Sequence, residues 1–133
     1  MKKKKIRAIE IKPMEHPTLC YIEPTMKSFR QAVGADLIEH GAAEAKKLSK
    51  HVYAIFNKDR FLTDLKPNRQ IGDDIICGNM YIVAIDDGRF LTSMTDAQIE
   101  KYAIEFYNIE EFDDMDVAEA TINTLVSRLL KDE

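Results

Sequence analysis

From Ile75 to Ile85 the chain carries apolar side chains on both parities, with Ile75, Cys77, Tyr81, Val83 and Ile85 on one and Ile76, Met80, Ile82 and Ala84 on the other. A strand apolar on both sides has to be covered on both sides, which places it in the interior of a sheet rather than at an edge. Gly78 interrupts the run and predicts a bulge or a close approach of another backbone. What precedes the run is polar and turn-forming: Pro67 fixes φ, Asn68 tolerates unusual backbone angles, and Gly72 offers a second bend before Asp73 and Asp74. Residues 67–74 therefore read as a shaped lead-in loop to the central strand.

The rest of the chain supplies partners for that strand. Alternation over Ile6–Ile11, ended by Pro13, predicts a first strand, and Thr18–Ile22 its antiparallel partner. Thr25 is an N-cap for a helix carrying Met26, Phe29 and Val33 on one face, with Gly34 as its stop. Residues 36–39 read as a short strand. Residues 41–50 have helix-forming Ala, Glu and Lys content, but their place between two strands suits a connection. Residues 52–56 form a β-branched and aromatic strand, and residues 61–65 its return strand after a turn. Asp86 to Arg89 signals a hairpin, with residues 90–94 returning. Thr95 and Gln98 form a capping box, and Met94 with Ile99 a hydrophobic staple. The helix so begun shows Ile99, Tyr102, Ala103, Phe106 and Tyr107 on one face. A last helix over residues 116–131 carries Ala118, Ile122, Leu125, Val126 and Leu129 as an apolar stripe. Strands first and helices mostly later predict an α+β fold. The expected form is a single domain over residues 1–133, an antiparallel or mixed sheet with about three helices packed mainly on one face.

At 133 residues the chain is long enough to bury a real core, and its 45% hydrophobic and 32% charged composition is that of a soluble globular protein. The net charge of −4 disfavours nucleic-acid binding by bulk attraction. No run is long and apolar enough for a membrane span, and no apolar segment of the export type follows Lys2 to Lys5. The expectation is a bacterial-type cytoplasm with Cys20 and Cys77 as reduced thiols.

Motifs that would carry chemistry are missing. Gly72 precedes a strand and no Lys-Ser/Thr follows it, so the phosphate-loop pattern fails. Asp73 and Asp74 are adjacent and would point to opposite sides of an extended chain. His16, His40 and His51 lie in separate segments without metal-ligand spacing, and Cys77 on a buried strand would be an inert thiol. No catalytic residue, metal or cofactor is expected. Lys2 to Lys5 form one basic cluster. Glu110, Glu111, Asp113, Asp114 and Asp116 form an acidic one, suited to the start of the last helix.

The motifs, taken together, resemble a family of uncharacterised proteins, domain of unknown function 3846. Asn57 with the following "KDRFL", the Pro67-Asn68-Arg69 triplet, Asp74-Ile75-Ile76 with Gly78, and Ser93 to Gln98 before a helix are similar to that family's pattern. So is the "SFRQAVGADLIEH" segment, Ser28 to His40. The resemblance runs over residues 6–107. Arg60 stands where a Gly is usual, residues 41–50 resemble an insertion, and the C-terminal helix is an addition. The resemblance implies a setting on plasmids, conjugative elements and phages of gram-positive bacteria, often among antirestriction-type genes, and it brings no catalytic residues. The resulting expectation is a non-enzymatic interaction or accessory protein of a mobile genetic element, countering a host defence system by binding a protein. The alternative is a nucleic-acid-binding accessory protein. Asn68, Arg69, Asp73 and Asp74 are the polar groups expected to bind, with Arg69 also able to pair with Asp73 or Asp74. The oligomeric state is left open.

Overall fold

In a computed structural model, residues 4–37, 41–59 and 65–131 are described. The main sheet is antiparallel throughout. Its path runs β2 (Thr18–Ile22), β1 (Ile6–Ile11), β7 (Met80–Ile85), β4 (Val52–Asn57) and β3 (Ala43–Ser49), and β8 (Leu91–Thr92) pairs with the end of β7. The expected central strand is present as β7, which pairs Ile82 with Ile9 on one side and with Ala54 on the other.

The both-sided apolar pattern has a direct cause. Ile9, Ile11, Val52, Ala54, Phe56, Met80, Ile82 and Ala84 face one way, where they meet Met94, Tyr102 and Phe106. Ile6, Ala8, Ile55, Tyr81 and Val83 face the other way, against Phe29, Val33 and Ala35. The helices α1 (Met26–Ala32) and α2 (Asp96–Glu105) therefore lie on opposite sides of the sheet. Both caps form as expected. Ser28 N donates to Thr25 Oγ1, and Thr95 and Gln98 close a reciprocal capping box. Met94 is buried and Ile99 packs against the same core, as the staple requires, but Met26 and Tyr107 lie outside that core and are more than half exposed.

The long apolar run is not one strand. It breaks at Gly78, whose φ of +79° turns the chain sharply. Residues before the break form β6 (Asp74–Cys77), which leaves the main sheet and pairs with β5 (Pro67–Ile71) in a separate two-stranded sheet. Residues 67–71, expected as loop, are thus a strand. Only Gly72 and Asp73 turn, with Gly72 at φ +61°. Both parities of β6 are apolar because the hairpin is sandwiched. Ile76 faces the main core, whereas Ile75 and Cys77 face Ala120 of α3 (Asp114–Lys131).

Two further expectations change. Residues 36–39 do not begin as a strand: Ala35–Leu37 form a 3-10 turn, and residues 38 and 39 lie outside the described residues. Residues 43–49 are neither helix nor plain connection but the edge strand β3, held along its length by β4. Its Lys46 and Lys47 are the charges that guard an open sheet edge. The expected return strand at residues 61–65 falls almost entirely outside the described residues, as do Lys2 and Lys3 of the basic cluster.

Candidate functional site

The four polar residues singled out in the sequence separate into two pairs. Asn68 and Arg69 are fully buried. The ladder between β5 and β6 slips between Pro67 and Arg69, and such a bulge lets two successive side chains turn inward. Asn68 Nδ2 donates to the carbonyls of Ile11 and Gly78 at 2.8 and 2.9 Å. Its Oδ1 accepts from Arg69 Nη1 at 3.0 Å. The Arg69 guanidinium goes on to donate to the Phe106 carbonyl from Nε at 3.1 Å and to the Glu15 carbonyl from Nη2 at 2.8 Å. It is taken up by carbonyl oxygens and Asn68, not by Asp73 or Asp74.

These bonds join three elements: the hairpin, the turn between β1 and β2, and the C-terminal end of α2. A cation is well placed against the last carbonyls of a helix. His16 reinforces the same junction. Its Nδ1 lies 2.7 Å from the Tyr107 carbonyl oxygen, and its ring stacks on the Tyr107 ring at 4.2 Å. Burial pulls the Arg69 pKa down, and Glu110 offsets part of that. Among the described residues no buried side-chain polar atom lacks a partner. The Asn68–Arg69 junction is a tie between elements, and a partner would reach it only by opening them.

Asp73 and Asp74 sit apart from it, at the hairpin tip. They face α3 across a cleft of about 670 Å³ whose other walls include Glu44, Lys46, Lys47, Arg128 and Lys131. Thr124 Oγ1 donates to Asp74 at 3.4 Å, and Lys46 Nζ donates to the Ile71 carbonyl at 3.3 Å, so this cleft is bridged by polar contacts from both sides. Signs alternate around it, which suits neither a bare anion nor a bare cation. Among the described residues no group of three His, Cys, Asp or Glu side chains is placed to hold a metal ion, and no helix is long and apolar enough to cross a membrane.

The last helix, α3, is present as expected, with a different start and an unexpected outward side. It begins at Asp114, two residues before the expected start, with Asp113 and Asp116 capping each other's backbone N–H groups. The apolar stripe of the helix is exposed: Ile122 is 60%, Leu125 52%, Val126 47% and Leu129 69% accessible, and Met115 and Leu130 are exposed beside it. The helix instead lies on the hairpin through smaller side chains. Ala120 is buried against Ile75 and Cys77, with Phe112 and Leu65 alongside. Thr124 and Arg128 anchor the same side, the latter by donating to the Lys58 carbonyl at 3.0 Å. The outward side is therefore the more apolar one. The available signal was the second set of positions, Val117, Ala120, Thr121 and Thr124, small enough to let a helix sit close to a strand pair.

Fold and surface together define a small α+β domain whose tight polar junctions hold its own elements, and whose longest helix turns an apolar side to solvent. The chain belongs to the family described as Domain of unknown function (DUF3846), whose model matches residues 6–107. The matched region ends at the α2 junction, so α3 lies beyond it. No curated protein and no solved structure matches the chain.

Proposed function

We propose that this protein acts by binding another protein, without chemistry of its own, and that the outward side of α3 is the binding surface. One observation carries this reading: a run of large apolar residues from Met115 to Leu130, each about half exposed or more, lies on one side of a helix that is already seated by its other side. Contiguous apolar surface of this kind on a soluble domain is what protein interfaces are made from. The resemblance to proteins carried on plasmids, conjugative elements and phages supports a finer reading, an accessory protein of a mobile element that counters a host defence system by binding one of its components.

The test is a comparison of two chains. Wild type and an Ile122→Glu/Leu125→Glu variant are immobilised and exposed to lysate of a gram-positive host at moderate salt. Wild type is expected to retain a host protein that the variant does not. Equal retention by both overturns the reading, and so does a wild-type chain that binds neither a host protein nor a second copy of itself through this side. Contact with nucleic acid at the Lys46–Arg128 cleft is the lesser alternative, because Glu44, Asp73 and Asp74 share its walls. It predicts a gel-shift band that fades steeply with salt.

A further inference from the structure

The proposed surface has a pattern that names an occupant. Met115, Ala118, Ile122, Leu125 and Leu129 follow one another at alternating steps of three and four residues. That is the spacing of a coiled-coil seam, the arrangement in which one straight apolar line on a helix meets the same line on another helix. All five are exposed. Val126 and Leu130 widen the line on one side.

Charge along the helix chooses the orientation. Asp114, Asp116 and Glu119 lie in its first third, and Arg128 and Lys131 in its last turn. Between Glu119 and Arg128 the helix carries no charged side chain. Two such helices side by side in parallel would set acid against acid and base against base. Antiparallel, the acidic end of each meets the basic end of the other. Asp114 and Arg128 occupy equivalent positions flanking the seam, two heptads apart, so they are brought together at both ends of an antiparallel pair. The Lys58 carbonyl takes one Arg128 donor, and a guanidinium has others to offer.

We infer that α3 is a homodimerisation element: the apolar side of α3 pairs antiparallel with α3 of a second copy of this chain about a two-fold axis. Such an interface is self-complementary, as a two-fold contact must be. It spans an 18-residue helix, about 27 Å long, and it leaves the seating of Ala120 on Ile75 and Cys77 untouched. The inference rests on the reading of this side as a protein-binding surface and gives that surface its first partner.

The test is sedimentation equilibrium of the full chain up to roughly 100 µM, a range in which micromolar self-association is visible. Wild type is expected to approach twice the chain mass. Ile122→Glu/Leu125→Glu is expected to remain monomeric with an unchanged melting curve in dilute solution, since both side chains are exposed. Two charge variants fix the geometry. Arg128→Glu/Lys131→Glu makes both ends acidic, and Asp114→Lys/Glu119→Lys makes both ends basic. Each alone is expected to associate at least tenfold more weakly than wild type, and an equimolar mixture to recover dimer. A wild-type chain that stays monomeric overturns the inference, and so does a dimer that survives Ile122→Glu/Leu125→Glu. A monomer that still retains a host protein through Ile122 and Leu125 overturns self-pairing alone and keeps the proposed function. Binding of the wild-type monomer to lipid vesicles in place of a second copy overturns both.

Discussion

Arg69 Nε donates to the carbonyl oxygen of Phe106 at 3.1 Å, across 37 positions of sequence, and the whole guanidinium is closed from solvent. The bond ties the two-stranded hairpin to the end of α2. With Nη2 on the Glu15 carbonyl it also ties both to the turn between β1 and β2. A buried cation satisfied only by neutral acceptors is costly to place and more costly to disturb.

Arg69→Ala is expected to destabilise the protein by about 3 kcal/mol or more, because it leaves the Phe106 and Glu15 carbonyls without this donor and opens a cavity. Arg69→Lys cannot reach both carbonyls with one ammonium group and is expected to cost about 2 kcal/mol. Urea midpoints of the two variants measure this. A Lys variant within about 0.5 kcal/mol of wild type would show that the junction does not depend on the fork.

The contrast with the sequence reading of the same residue shows where legibility ends. From the chain alone, Arg69 four and five places before two carboxylates looks like an exposed pair in a turn. The bulge that turns Asn68 and Arg69 inward is set by the register with β6, and the acceptors at Phe106 and Glu15 are distant in sequence. Neither is visible without the fold. What is local was readable: the pairing of β1 with β2, the caps at Thr25 and Thr95, and the β7–β8 hairpin. What depends on neighbours was not. Residues 43–49 have helical content but are held as a strand by β4, where tertiary pairing overrides propensity. The Ile75–Ile85 run read as one buried strand because burial of β6 between α3 and the core looks the same, residue by residue, as burial of β7 within the sheet. On α3, periodicity shows the larger apolar set, while the protein packs the smaller one, Ala120 with its neighbours.

Gly78 and Gly72 both have positive φ, but their surroundings differ. A Cβ on Gly78 would stand 2.9 Å from Leu65 Cδ1, whereas one on Gly72 would meet only Lys46 Nζ at 3.9 Å. Asn tolerates the left-handed region better than other side chains. Gly72→Asn is therefore expected to cost under about 1 kcal/mol and Gly78→Asn about 2 kcal/mol or more. Thermal melts of the pair decide it, and equal losses would refute the role given to Leu65.

The reciprocal bonds between Thr95 and Gln98, at 3.2 and 2.9 Å, start the helix that ends at the Arg69 junction. Thr95→Ala is expected to cost about 0.5–2 kcal/mol, and Gln98→Ala to add less in the double variant than it does alone. Strict additivity in a double-mutant cycle would mean that the two side chains act separately.

Alkaline pH should loosen the β1–β2–β7 region. Burial, and then Glu10, push the Cys20 thiol from its ordinary 9.0 up to about 11. The Tyr81 hydroxyl is also raised, first by burial and then by its 2.7 Å bond to Glu10. Both groups hold their protons more tightly folded than unfolded. The stability they confer is fully present below about pH 9 and is lost as pH rises toward the folded values. Urea midpoints are expected to be level from about pH 7 to 8.5 and to fall from about pH 9 to 11. The fall should be shallower in Cys20→Ser/Tyr81→Phe, and an identical slope in that variant would assign the loss to other groups.

Ala120 decides whether α3 is part of the folded unit or merely tethered to it. It is the one α3 residue among those described that is fully packed, and it covers Ile75 and Cys77 of β6. A carboxylate at that position cannot be seated there without a partner. Ala120→Glu is therefore expected to lift α3 from the hairpin while the main sheet, whose core is built from other residues, stays folded. Cys77 reports the change. In a Cys20→Ser background its thiol should resist iodoacetamide at about pH 8, because burial shields it from the reagent, and Ala120→Glu should raise its alkylation rate at least tenfold. Ile122→Glu, on the opposite side of the same helix, should leave that rate unchanged. If Cys77 in the Ala120→Glu chain stays as slow as in the parent while circular dichroism reports the same helix content, then α3 is not what shields the hairpin, and the division of the helix into a seated side and a free side fails.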